Sequence, residues 1–182
     1  MQADKPARNA PHRIELNIRD MVLLFNTMDP SPFKERDLDR DAEEFIVSWV
    51  REFPVAAPVE LVVHLKEYPA DRDPQMIIQQ AVHHYFEDRA RINRLELRRL
   101  FKEGRQSLLI GLLFLAGCLT ISNFIGGQSA GTLSGLAQES LTIAGWVAMW
   151  RPMQIYLYDW WPLRHRGRIF EKLSAIRVEV QH

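Results

Sequence analysis

The chain has 182 residues, the length of one domain or slightly more, and its 23 basic and 23 acidic side chains sum to a net charge of zero. That balance leaves no global charge to draw in a nucleic acid. The single cysteine, Cys118, rules out an intrachain disulfide and leaves no basis for a cysteine zinc site.

The first segment, residues 1–13, has no apolar core of a signal peptide and reads as a disordered tail. Ile14, Glu15, Leu16, Asn17 and Ile18 alternate apolar and polar, which predicts a half-buried strand. Met21, Leu24, Phe25 and Met28 follow at helical spacing. Asp29, Pro30, Ser31, Pro32 and Phe33 then break the pattern with two prolines. Asp41 suits an N-cap with Glu44 in capping-box position, and the helix after it is expected to bury Phe45, Ile46, Trp49, Val50 and Phe53 before stopping at Pro54. Residues 59–65, VELVVHL, are β-branched and apolar, as in a central strand. From Pro74 a helical pattern runs through Tyr85, Ile92, Leu95 and Leu100, with Gly104 as a point of flexure.

Residues 106–138 then carry no charged side chain, in a chain that is otherwise 25% Asp, Glu, Lys and Arg. Within them, 107–125 are long enough as a helix, about 28 Å, to cross a bilayer core of roughly 30 Å. A second apolar segment, 139–160, is expected to return as one helix, ending in Tyr156, Tyr158, Trp160 and Trp161 as an interfacial aromatic belt. Arg89, Arg91, Arg94, Arg98, Arg99, Lys102 and Arg105 precede the first span, and Arg164, Arg166, Arg168 and Lys172 follow the second. The positive-inside rule therefore puts both flanks and both termini in the cytoplasm. Arg151 falls near mid-depth of the second span, where a bare arginine costs at least ~2.5 kcal/mol. Either the helix runs instead from about Leu133 to Trp150, with Pro152 opening an interfacial helix, or Arg151 meets a partner or a water pocket. Asp159, eight residues on, is out of reach along a straight α-helix. Residues 163–174 read as a basic helix, and the alternating Ile176, Arg177, Val178, Glu179 and Val180 as a last strand.

The order predicts a small α/β (α+β) cytoplasmic domain of about three strands with helices, interrupted by a two-helix transmembrane hairpin. Its parts are residues 14–105, the hairpin 106–161, and 162–182 completing the domain.

Chemistry-bearing patterns are few. Asp37, Asp39 and Asp41 open like a calcium loop, but Ala42 and Ser48 replace the required Gly and Glu, so the acids read as helix capping. His83 with Glu87, and His84 with Asp88, sit one helical turn apart and are weak metal candidates, with His64 a possible third partner. Gly126-Gly127 lacks the lysine of a phosphate loop, and Ser31 and Ser134 stand in no nucleophile motif. The basic stretch 89–105 reads as an anchor for anionic lipid headgroups rather than as a nucleic-acid site.

The strings MDPSPF, DLDRDAEEFIVSW, AVHHYF and ESLTIAGWVAMWRPMQIYLYDWWPLRHR resemble those of uncharacterised bacterial two-span inner-membrane proteins, over about residues 13–180. The resemblance implies a bacterial inner membrane and this same layout, and carries no activity. The expectation is a non-enzymatic membrane-anchored adaptor or assembly subunit with a protein partner or a second copy of itself, and without a cofactor. Its candidate binding residues are Arg151, Asp159, Trp160 and Trp161, then Asp29 and Phe33. The alternatives are an oligomeric transport subunit using Arg151 and Asp159, its helices packed through Gly111, Ala116, Gly117 and Gly145, and a membrane-bound metal-dependent hydrolase.

Overall fold

The three strands are His12–Ile18 (β1), Val59–Leu65 (β2) and Arg177–Gln181 (β3), all parallel and ordered β1-β2-β3. The structure is a computed structural model and describes residues 11–27, 29–30, 32, 36–67, 73–128 and 132–181. It divides into two units, Met1–Asn93 with His165–His182, and Arg94–Arg164.

The first unit holds the sheet. β2 takes the centre because its run is apolar on both faces: Leu61, Val62 and Val63 are all buried. Ile14, Leu61, Val63 and Val178 point into one core with Ile46 and Val50 of helix α1 (Arg40–Glu52) and Ile78, Val82 and Phe86 of α2 (Pro74–Gln128). Ile169, Phe170 and Leu173 of α5 (Trp160–Leu173) complete it. On the opposite face the register pairs Arg13 with Glu60 and Glu60 with Arg177. The buried Glu60 carboxylate is satisfied from both neighbours, by Arg13 Nε at 3.5 Å and Arg177 Nε at 3.2 Å.

The outer edge of β3 is closed by side chains of α2. The Gln75 amide donates to the Val178 carbonyl at 2.7 Å and accepts from Val180 N–H at 2.7 Å, as a neighbouring strand would. His83 Nε2 reaches the Ile176 carbonyl at 2.7 Å, two residues further along the same edge. An edge so occupied cannot recruit another chain.

Several local expectations are corrected. β1 begins at His12, inside the segment expected to be a tail; residues 1–10 lie outside those described. The spacing after it yields only a 3-10 turn, Met21–Leu24, and Met28 lies outside the described residues. The N-cap of α1 is Asp39 rather than Asp41; its backbone is extended and its carboxylate accepts from Asp41 N–H at 2.9 Å. Phe45 and Trp49 stay exposed, because the core stripe is Ile46, Val47 and Val50 and these two aromatics fall on its flank at about 100° per residue.

The second unit carries the apolar chain. α2 is continuous for 55 residues, about 82 Å, and passes through Gly104 without a break. By length and composition it is able to cross a membrane, and only 17% of its most apolar window is buried, unlike the core helix of a soluble domain. The expected single helix 139–160 is interrupted. Helix α3 (Thr132–Ala148) ends one residue before Met149, and a short α4 (Trp150–Gln154) leads through a π-helical turn (Ile155–Asp159) into α5. Pro152 is the cause: it has no N–H for the Ala148 carbonyl, so it sits in the first turn of a new helix, where none is needed.

Replacing Gln75 with Ala is expected to lower stability by about 1–3 kcal/mol, the range for two lost hydrogen bonds at a partly buried edge. Amide exchange at Val180 should quicken in that variant, and unchanged protection there would show that the edge is held by something else.

Candidate functional site

Three glycines set the geometry of the second unit. A Cβ on Gly104 would stand 2.9 Å from Ile155 Cγ2, and one on Gly145 would stand 2.8 Å from Leu115 Cδ1. On Gly111 it would meet the Ala148 carbonyl at 3.1 Å. These positions let the C-terminal half of α2 and the chain 132–159 approach closely, in opposite chain order. Beyond them, Ser122 Oγ lies 3.3 Å from the Gln138 carbonyl and 3.4 Å from Thr142 Oγ1, so this buried hydroxyl is satisfied inside the pair. Gly117, grouped with these glycines by composition, faces open space.

The close approach at Gly104 brings Arg151 to two carboxylates. Its Nη2 is 2.6 Å from Glu103 Oε1, and its Nη1 is 3.1 Å from Asp159 Oδ2. The second contact corrects the expectation that Asp159 is out of reach. Eight residues on an ideal α-helix turn about 800°, which puts the two side chains some 80° apart. The π-helical turn takes one extra residue between them, so Asp159 occupies the angular place of position i+7, about 20° from alignment. The long arginine side chain covers the remaining axial distance. The same turn leaves the Tyr156 carbonyl to accept from the Trp160 indole N–H at 2.9 Å. Trp161 lies against Trp160 with centroids 5.5 Å apart, and the Arg164 guanidinium sits 5.6 Å above the Trp160 ring.

Four of the expected binding residues are therefore together: Arg151, Asp159, Trp160 and Trp161 all belong to residues 151–161. Asp29 is elsewhere, in the first unit, accepting from Asp37 N–H at 2.8 Å. Phe33 lies outside the described residues. His83 serves the β3 edge, and Asp88 pairs with Arg91 at 2.9 Å. Among the described residues no three His, Cys, Asp or Glu side chains gather as metal ligands would, and His84 and Glu87 join no such group.

Two clusters escaped the reading of the sequence. Glu103 is the only acid between residues 97 and 138, and that isolation was its signal. In the first unit, Glu43 accepts from Arg89 Nε at 3.0 Å and from Arg89 Nη2 at 2.6 Å, and from Tyr85 Oη at 2.6 Å. Residues 42 and 46 positions apart in sequence give no pattern from which such a triad could be read. Burial, then the bond to Glu43, push the Tyr85 hydroxyl above the ordinary tyrosine value of 10.0.

The folded protein thus holds the Tyr85 proton more tightly than the unfolded chain does. Its contribution to stability is complete below about pH 10 and is lost as pH rises further, since the unfolded state ionises first. Tyr85→Phe should flatten that alkaline fall in stability and remove the last-titrating phenolate from the absorbance curve; an unchanged curve would contradict the triad. For the ion cluster, Arg151→Glu should lower the thermal midpoint in detergent, and adding Glu103→Arg should restore much of it. No recovery in the double variant would mean that the pair is incidental.

No known protein family, curated protein or solved structure matches the chain, so its functional reading rests on these residues themselves.

Proposed function

We propose that residues 107–160 form a two-span hairpin in the inner membrane of a bacterium, and that the three-stranded domain is a non-enzymatic adaptor or assembly platform anchored by it on the cytoplasmic side. One observation carries this reading: β2 and β3 are hydrogen-bonded neighbours, although the whole apolar segment lies between them in sequence. If α2 crosses the bilayer, the chain must cross back for Arg177 to pair beside Glu60. A single crossing is incompatible with the sheet. The segment available for the return is α3, whose 17 residues span about 26 Å and leave Leu133, Ile143, Trp146 and Val147 more than half exposed.

The placement of charges supports the same layout. The Arg151 guanidinium meets Glu103, three residues before the uncharged run begins at Gln106, so it would lie at interface depth rather than mid-bilayer. At the other end, Glu139 neighbours Gln138, whose carbonyl meets Ser122, 16 residues or about 24 Å beyond Gln106. Outward reach of Glu139 covers most of the difference from a core of about 30 Å. Trp161 and Tyr158, 65% and 70% exposed, would stand at the inner interface. The cations of residues 89–105 and 164–172 flank the pair on the same side, as the positive-inside rule requires of cytoplasmic segments.

For the platform, the support is aromatic. Phe45 and Trp49, with ring centroids 6.1 Å apart, stand 36% and 41% exposed on α1. Tryptophan is enriched among interface hot spots. Purification from native membranes in gentle detergent should then yield a stoichiometric partner protein, and Trp49→Ala should weaken its retention at least tenfold. A homo-oligomer of unchanged mass in both preparations would defeat the adaptor reading.

A further inference from the structure

We infer that Arg98, Lys102 and Arg105, with Phe101 and Tyr156, form a binding site for the phosphate-bearing head of an anionic phospholipid. The inference rests on the membrane reading above and adds a specific ligand to it. These five residues line a cavity of about 640 Å³ within the second unit. The three cations lie at i, i+4 and i+7 on α2, one face of a helix, within about 10.5 Å. The wall opposite exists because Gly104 has no side chain: a Cβ there would stand 3.3 Å from Tyr156 Cζ, and the Tyr156 ring is thus able to settle 6.3 Å from that of Phe101.

Two further features select the ligand. First, several other charges along this helix are paired: Arg89 with Glu43, Arg91 with Asp88, and Glu103 with Arg151. Arg98, Lys102 and Arg105 have no ion pair or hydrogen bond among the described residues. Three converging donors without an acceptor match phosphate oxygens, which arginine binds bidentately and lysine as a point charge. Second, the same helical face continues past Arg105 as Leu109, 61% exposed, and Leu112, 48% exposed. A soluble phosphate has no use for that leucine stripe, whereas the acyl chain of a lipid whose head sits among the cations would lie along it. Three cations suit a head with two phosphates, such as a diphosphatidylglycerol, better than a singly charged one.

The test uses the full chain in detergent, read by native mass spectrometry against diphosphatidylglycerol, a zwitterionic phosphatidylethanolamine and inorganic phosphate. Wild type should retain one diphosphatidylglycerol, unaffected by millimolar phosphate. Arg98→Gln, Lys102→Gln and Arg105→Gln should each weaken retention about fivefold, and the triple variant about a hundredfold. A charge-matched triple at Arg91, Arg94 and Arg99 should keep the lipid. Equal loss in that control, equal retention of the zwitterionic lipid, or displacement by phosphate would each overturn the site. Alkaline carbonate extraction separates the two claims: a chain that stays in the membrane while the triple variant binds lipid like wild type loses the site alone. A chain released by alkali loses the membrane reading with it.

Discussion

The parallel pairing of β2 with β3 is the constraint from which the rest of the protein follows. It joins residues 60–64 to residues 177–181 and so fixes where the chain must be after more than a hundred intervening residues. Parallel neighbours always require a crossover, commonly a single helix of a dozen residues. Here the crossover holds a 55-residue helix and everything up to β3. Closing so long a loop costs little more entropy than closing a short one, because the cost grows only with the logarithm of length. The proposed membrane insertion is therefore compatible with this point of a small domain, provided that it starts and finishes on one side.

Under the proposed two-crossing layout, that proviso accounts for the odd local chemistry of residues 149–161. In that proposal, a return helix that simply continued would leave Arg151 stranded among apolar side chains. Pro152 ends α3 early, the π-helical turn rotates Asp159 into line, and Gly104 lets the α2 backbone come near enough for Glu103 to join them. Each of these residues breaks a local rule of helix design, through a missing donor, an extra residue or a missing side chain. Together they neutralise one arginine, and the indole of Trp160 takes up the Tyr156 carbonyl beside it.

Legibility from sequence followed the range of the interactions. β2 was readable to the residue, since a run of Val and Leu bounded by Pro58 and Lys66 has few alternatives. The start of α2 at Pro74 and its passage into the apolar segment were equally plain. The interruption of the second apolar segment was visible as an alternative because Pro152 follows Arg151 directly. The pairing of Arg151 with Asp159 was not, because a π-helical turn leaves no mark in the spacing of side chains. The Glu43–Tyr85–Arg89 triad and the Arg13–Glu60–Arg177 ladder depend on tertiary register, which one sequence does not encode locally. Phe45 and Trp49 were misplaced for a different reason: α1 carries more apolar side chains than its buried stripe holds, and the smaller Ile46, Val47 and Val50 take the core.

Side-specific labelling of single cysteines in intact cells tests the two-crossing topology directly. With Cys118→Ser as background, Leu133→Cys should react with an impermeant maleimide from outside, while Lys66→Cys and Glu179→Cys should react only after the membrane is opened. Labelling of Leu133→Cys and Glu179→Cys from the same side would leave no room for a hairpin between β2 and β3.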